Sequence, residues 1–363
     1  MSFYQNKSNW ILNAKADSLF VVGPPFIILC LILLFPDYFM AEQDVSPFLW
    51  ILVVLGVDVS HVYSTLFRTY FEPATFQKHK TILTVVPALV WLIGVLCYSI
   101  DSLLFWHILA YLAVFHFIRQ QYGFLRIYVQ KEERPRWFTR LENTLVYTIT
   151  VIPVLIWHLS GDRSFVWFVK DDFFIQSFSG AIPFLQIILF TTIAVYTIAE
   201  IYFCIQQKVY NTAKYLLLTG TFISWYFGIV YFNSDLIFTL FNVICHGVPY
   251  IMLIWVYGNK KTSQQQTERA WYSLLFSYKG VVLYFLILLL LAYVEEGFWN
   301  ALIWNEHTEY FSLFSALPSV SNLHLATFLV PMLSVPQVTH YIIDGFIWKI
   351  KDDQFDWKKY ILG

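Results

Sequence analysis

PFLWILVVLGVDVSHVYSTLF, residues 47–67, has the length and apolarity of a membrane helix, yet it carries Asp58 and His61 inside it. About 20 such residues cross a hydrocarbon core roughly 30 Å thick. A charged side chain near the centre of that span costs about 2.5–3.5 kcal/mol on insertion scales. Asp58 and His61 lie three residues apart, on one helix face. Their presence therefore asks for a partner elsewhere in the bilayer.

The rest of the chain has the same character. It is 58% hydrophobic, 20% aromatic and only 13% charged, against about a quarter charged in soluble domains, and its mean hydropathy is +0.59. The net charge of −1 offers no basic excess for nucleic acid. The four cysteines, Cys30, Cys97, Cys204 and Cys245, fall in apolar segments without metal-finger spacing and read as small buried side chains. The N-terminal segment lacks the basic start, short apolar core and small residues of a cleavable signal.

Apolar runs predict ten membrane spans: 18–35, 47–67, 82–99, 103–125, 144–160, 181–206, 213–232, 236–257, 279–298 and 322–348. With the N-terminus inside, all of the 23 Lys and Arg fall on the inner side except Arg163 and Lys170, the asymmetry expected of a cytoplasmic face. The fold class is thus an all-α, polytopic helical bundle, N-in and C-in. It is a single transmembrane domain over 1–363 in a multi-pass membrane protein, of the inner membrane if the source is bacterial. The tail WKIKDDQFDWKKYIL, residues 348–362, reads as an amphipathic segment at the inner surface.

This topology makes the second, fourth, sixth, eighth and tenth spans run the same way, and these carry the polar side chains. They hold Asp58 with His61, His116 with Gln120, Glu200, Asn242 with His246, and His340 with Asp344. The simplest common partner is a metal ion. His61, His116, His246 and His340 are the candidate ligands, with Asp58, Asp344 and Glu200 as further ligands or as acceptors that orient an imidazole. Gln120 and Asn242, four residues from His116 and His246, read as hydrogen-bond partners behind them. Pro249, Pro331 and Pro336 predict kinks, tolerated where a helix lines a cavity. His79, His107, His158, His307 and His324 fall in loops or near the outer boundary, as do Glu295 and Glu296, and receive no chemistry.

Imidazole with carboxylate suits iron, zinc, manganese or copper, and non-haem iron oxygenases use this donor set with open positions. Non-haem iron, mononuclear or binuclear, is the leading cofactor, with haem between facing histidines as an alternative. Arg68, Arg119 and Arg126 flank the set on its inner side and suit a carboxylate or phosphate head group.

Phe115-His116-Phe117-Ile118-Arg119-Gln120-Gln121 resembles the aromatic-His-Phe stretch of Brp/Blh-type carotene-cleaving dioxygenases. The resemblance implies a multi-pass protein that holds iron through histidines. Asp58-x-x-His61 does not reproduce that family's His-Gly motif, its paired late histidines have no counterpart, and the histidine boxes of fatty-acid desaturases are missing. No residue role follows from it.

The expected function is that of a metal-dependent membrane oxygenase or desaturase-like oxidoreductase. Its substrate would be lipid, fatty acyl, isoprenoid or carotenoid, drawn from the surrounding lipid, with an electron donor as a further partner. A proton- or cation-coupled transporter using the same groups is the alternative.

Overall fold

The computed structural model describes residues 4–5, 10–41, 44–161, 163, 166–264, 270–320, 322–349 and 357–361. Eight helices among them are long and apolar enough to cross a membrane: Pro47–Arg68, Lys80–Ile100, Ser102–Tyr128, Ser179–Gln207, Thr212–Tyr231, Asp235–Gln264, Val281–Trp304 and Leu323–Ile347. The described residues are otherwise helical or irregular, apart from a parallel pairing of Tyr4–Gln5 with Val209–Tyr210 and an isolated bridge between Ser160 and Ser177.

Two of the ten predicted spans differ. The 18–35 span is a pair of helices, Ala14–Phe20 and Pro24–Leu34, bent by 53°, which gives a ninth span if counted as one. Gly23 sits at the break, where an added Cβ would fall 1.8 Å from the Ser18 carbonyl oxygen. The 144–160 span belongs to a longer helix, Arg136–Leu159, which is not apolar enough to join the eight. Arg136, Arg140, Glu142 and Asn143 in its first turns dilute the apolar run.

The chain divides into two compact units: residues 1–45 with 114–249, and residues 46–113 with 250–363. In the first, Asp17 anchors the bent pair by accepting from the backbone N–H groups of Ile11 (2.6 Å) and Leu12 (3.0 Å) and from the Tyr128 hydroxyl (3.1 Å). Arg163 donates to the carbonyls of Ile229 and, at 2.7 Å, Val230, satisfying acceptors that a helix end leaves open. Burial lowers the pKa of that guanidinium.

In the second unit, helix Lys80–Ile100 packs on Leu323–Leu333 and Val335–Ile347, with Leu83, Ile343 and Ile347 at the centre. A Cβ at Gly94 would lie 2.8 Å from the Cβ of Pro331, so this contact requires glycine. The last predicted span breaks at Ser334, between Pro331 inside one helix and Pro336 opening the next, as the prolines predict. Residues 350–356 of the tail lie outside the described residues; Lys358–Ile361 is a short helix. All four cysteines are free thiols, and Cys30 is exposed where the sequence suggested burial.

Among the described residues four segments are wound as π-helix, Trp50–Val59, Ile223–Tyr231, Leu240–Ile244 and Asn300–Trp304. The first ends two residues before His61 and the third two residues before His246. Such widened turns often accompany functional sites.

Candidate metal site

Each unit contains one pair of buried imidazoles. In the first, His116 comes from helix Ser102–Tyr128 and His246 from helix Cys245–Gln264. Their ring centroids are 4.9 Å apart with the planes at 77°, and both have a ring nitrogen within 4.8 Å of the other's. Exposure is 5% for His116 and 2% for His246. Phe117 lies flat on His246, with centroids 3.6 Å apart at 11°, which fixes the plane of that imidazole.

The amides behave differently from the sequence expectation. Gln120 donates to the backbone carbonyl of His246 at 2.8 Å rather than to its own helix neighbour His116. Asn242 donates to the carbonyl of Phe238 at 3.1 Å. It lies in the π-helical turn, where four-residue spacing no longer aligns side chains as in an α-helix, and this undoes the expected pairing with His246. Gly228 makes room for that turn, since a Cβ there would meet Asn242 Nδ2 at 3.2 Å.

In the second unit His61 and His340 face each other at 4.9 Å and 78°, with exposures of 1% and 2%. Asp58 Oδ1 lies 3.6 Å from His61 Nδ1, and Asp344 Oδ1 lies 3.6 Å from His340 Nδ1. Both carboxylates thus sit beside the imidazole on their own helix, as the i,i+3 and i,i+4 spacings predict. Thr65 Oγ1 is closer, 2.7 Å from His340 Nδ1, and shares a second hydrogen bond of 2.8 Å with the Tyr250 hydroxyl. Tyr250 in turn donates to Asp344 Oδ1 at 2.5 Å.

Sequence reasoning missed Thr65 and Tyr250. The available signals were their positions, one turn beyond His61 and His246 on the same helices, but 24 tyrosines in the chain hid the second. It also passed over Glu295, which hydrogen-bonds Tyr63 and Trp299, and Glu296; Asp58 is an electrostatic neighbour of both.

Glu200 belongs to a different constellation. Its Oε1 accepts from Lys214 Nζ at 2.9 Å, from the Tyr215 hydroxyl at 2.6 Å and from Arg134 at 3.3 Å. Glu132, Glu142 and Glu200 converge closely enough to hold a cation, but the Lys214 ammonium lies among them, 2.8 Å from Glu132 and 3.4 Å from Glu142. A resident ammonium fills the role a metal would take, so Glu200 is an ion-pair acceptor here. Arg126 joins this network through Glu142 at 3.4 Å, which removes it from the candidate head-group clamp.

Arg68 is also committed elsewhere. It is 1% exposed, lies 3.9 Å above the Tyr257 ring and 4.5 Å above Trp348, and donates to the Ile347 carbonyl at 3.0 Å. Arg119 alone of the three is exposed; it donates to the Tyr147 hydroxyl at 2.5 Å and sits 4.8 Å above Tyr122.

No protein-family model matches this chain, and neither does any curated protein or solved structure.

Proposed function

We propose that this protein is an integral-membrane, metal-dependent oxidoreductase whose metal is held by His61, His116, His246 and His340. The observation that carries this reading is the pair of buried imidazoles in each unit, edge to face at 4.9 Å, set in helices apolar enough for a bilayer. Asp58 and Asp344 lie beside one pair at 3.6 Å. A divalent cation would offset the remaining cost of holding these partly buried carboxylates beside imidazoles among apolar helices.

The residues fit such a group. Thr65 occupies Nδ1 of His340, so Nε2, across the ring, is the nitrogen assigned to the metal. Asp58, 3.6 Å from His61 Nδ1, is an orienting carboxylate in this reading, the usual partner of a ligating imidazole, and Asp344 acts on His340 through Tyr250 and Thr65. The donor set suits iron first, with zinc, manganese and copper as competitors. Bound iron would supply activation of dioxygen.

The substrate class is lipid-like, with N- and C-termini on the cytoplasmic side. In the first unit an apolar groove of about 240 Å³ runs along Leu19, Ile27, Leu31, Leu240, Ile244 and Val248, which favours a hydrocarbon chain. Arg119, exposed three residues from His116, is the head-group candidate that stays available.

Elemental analysis of protein purified in detergent tests the proposal. A stoichiometric transition metal that is lost in His61→Ala and in His246→Ala is expected. Metal-free protein that binds none on reconstitution with iron, zinc, manganese or copper overturns it, and a Soret band would replace it with haem.

A further inference from the structure

Two neighbouring helices carry matching stripes on their exposed faces within the first unit. On helix Ser102–Tyr128, Phe115 is 59% exposed, Arg119 is exposed one turn further on, and Tyr122 stands at the turn after that. On helix Arg136–Leu159 the stripe runs from exposed Arg140 through Tyr147 to Val151 and Leu155, which are exposed at 36% and 42%. Steps of three, four and seven residues keep each set on one helix face. Tyr122 stacks on Tyr147 at 5.6 Å while Arg126 pairs with Glu142 at 3.4 Å, so the two helices run antiparallel. Arg119 is the first Lys or Arg along its helix and Arg140 the last along the other. Both stripes are therefore cationic at the same end and apolar towards the other.

A donor cluster stands where the two characters meet. Arg119 donates to the Tyr147 hydroxyl at 2.5 Å and lies 4.8 Å above the Tyr122 ring, so two aromatic rings hold the guanidinium at the seam. Because that hydroxyl accepts from Arg119, its own proton can go to a further acceptor. A guanidinium carries five N–H donors in a fork that matches the paired oxygens of a phosphate. Neither stripe contains a carboxylate. Glu142 is 2% exposed and is engaged by Arg126 and Lys214. A cationic head group thus finds no counter-charge on this face, whereas an anionic one does.

We propose that Arg119 and Tyr147 bind the phosphate of an anionic phospholipid whose acyl chain lies along Phe115, Val151 and Leu155. A charged side chain beside hydrocarbon is costly without a partner, and the phosphate supplies that partner at the level where apolar side chains give way to cations. The asymmetry of Lys and Arg assigns this end to the cytoplasmic leaflet, where basic segments attract anionic lipids. The site gives a head group to the lipid-like class proposed above and rests on that membrane reading; the binding itself needs no metal.

Intact-protein mass spectrometry from detergent micelles, with phosphatidylglycerol and phosphatidylcholine titrated separately, tests the site. Phosphatidylglycerol is expected to bind at least roughly fivefold more tightly, the contribution of one interfacial cation, and Arg119→Gln is expected to erase that preference. Equal affinity of the two lipids for the wild-type protein, or a preference unchanged in Arg119→Gln, overturns the proposal. Inorganic phosphate is expected to leave the lipid bound; displacement by it would make this a site for a free anion, and the lipid assignment would fall. If Arg119→Gln fails to fold, photolabelling of the wild-type protein decides. Phosphatidylglycerol with a diazirine in its acyl chain should label the segments around Phe115 and Val151, and labelling confined to other helices overturns the site. The lipid preference in a protein that binds no metal would leave this site standing and remove the metal reading, and a metal-bearing protein without the preference does the reverse.

Discussion

The Thr65 hydroxyl lies 2.7 Å from Nδ1 of His340 and 2.8 Å from the Tyr250 hydroxyl, so one small side chain holds both rings. Hydrogen bonds to the far nitrogen of a ligating imidazole fix its tautomer and plane, and their loss typically weakens metal binding by about 10–100-fold. Thr65→Val is expected to lower metal affinity by that factor while the protein remains folded. Thr65→Ser, which keeps the hydroxyl, is expected to restore it. Competition with a chelator of known affinity measures both.

Glu200 separates the histidine set from the ionic network. Because its carboxylate is engaged by Lys214, Arg134 and Tyr215, Glu200→Gln is expected to leave the metal content unchanged. Lys214→Met removes the cation common to Glu132, Glu142 and Glu200 and strands buried carboxylates. Breaking a buried ion pair from one side costs about 3–5 kcal/mol. Thermal unfolding in micelles should therefore show Lys214→Met strongly destabilised, with Glu200→Gln less so. Loss of metal in Glu200→Gln would return that carboxylate to the ligand set.

These two outcomes mark where the sequence was legible and where it was not. Helix positions followed from apolar runs, since hydrocarbon length and backbone hydrogen bonding leave few alternatives. The placement of Asp58 and Asp344 beside His61 and His340 followed from three- and four-residue spacing. Asn242 was misplaced because hydropathy carries no trace of the π-helical turn at Leu240–Ile244. Glu200 was misplaced because its partner Lys214 stands 14 residues on, in a helix whose lysine reads as a boundary marker until its ammonium is seen buried at 0% exposure. Arg68 looked like a head-group ligand for the same reason: spacing cannot tell a guanidinium offered to a ligand from one stacked on Tyr257 and Trp348.

The tight passage at Gly94 gives a test of packing that does not touch the histidines. An added Cβ there meets Pro331 Cβ at 2.8 Å and Phe105 Cε2 at 3.3 Å, and a proline ring cannot rotate aside. Overpacking of this kind costs about 1–3 kcal/mol. Gly94→Ala is expected to lower the unfolding midpoint by a corresponding amount, with metal stoichiometry intact in the folded fraction.

The number of metal ions distinguishes a shared centre from two independent ones. Within each imidazole pair a ring nitrogen of one lies within 4.8 Å of a ring nitrogen of the other, but two neutral nitrogens are a weak donor set for iron, which takes more ligands in stable sites. The proposed four-histidine ligation therefore predicts that removing either pair empties the protein. His61→Ala with His340→Ala, and separately His116→Ala with His246→Ala, should each take the metal content to zero. A double variant that keeps half the wild-type metal would show that each pair binds its own ion, and the shared ligation would fall.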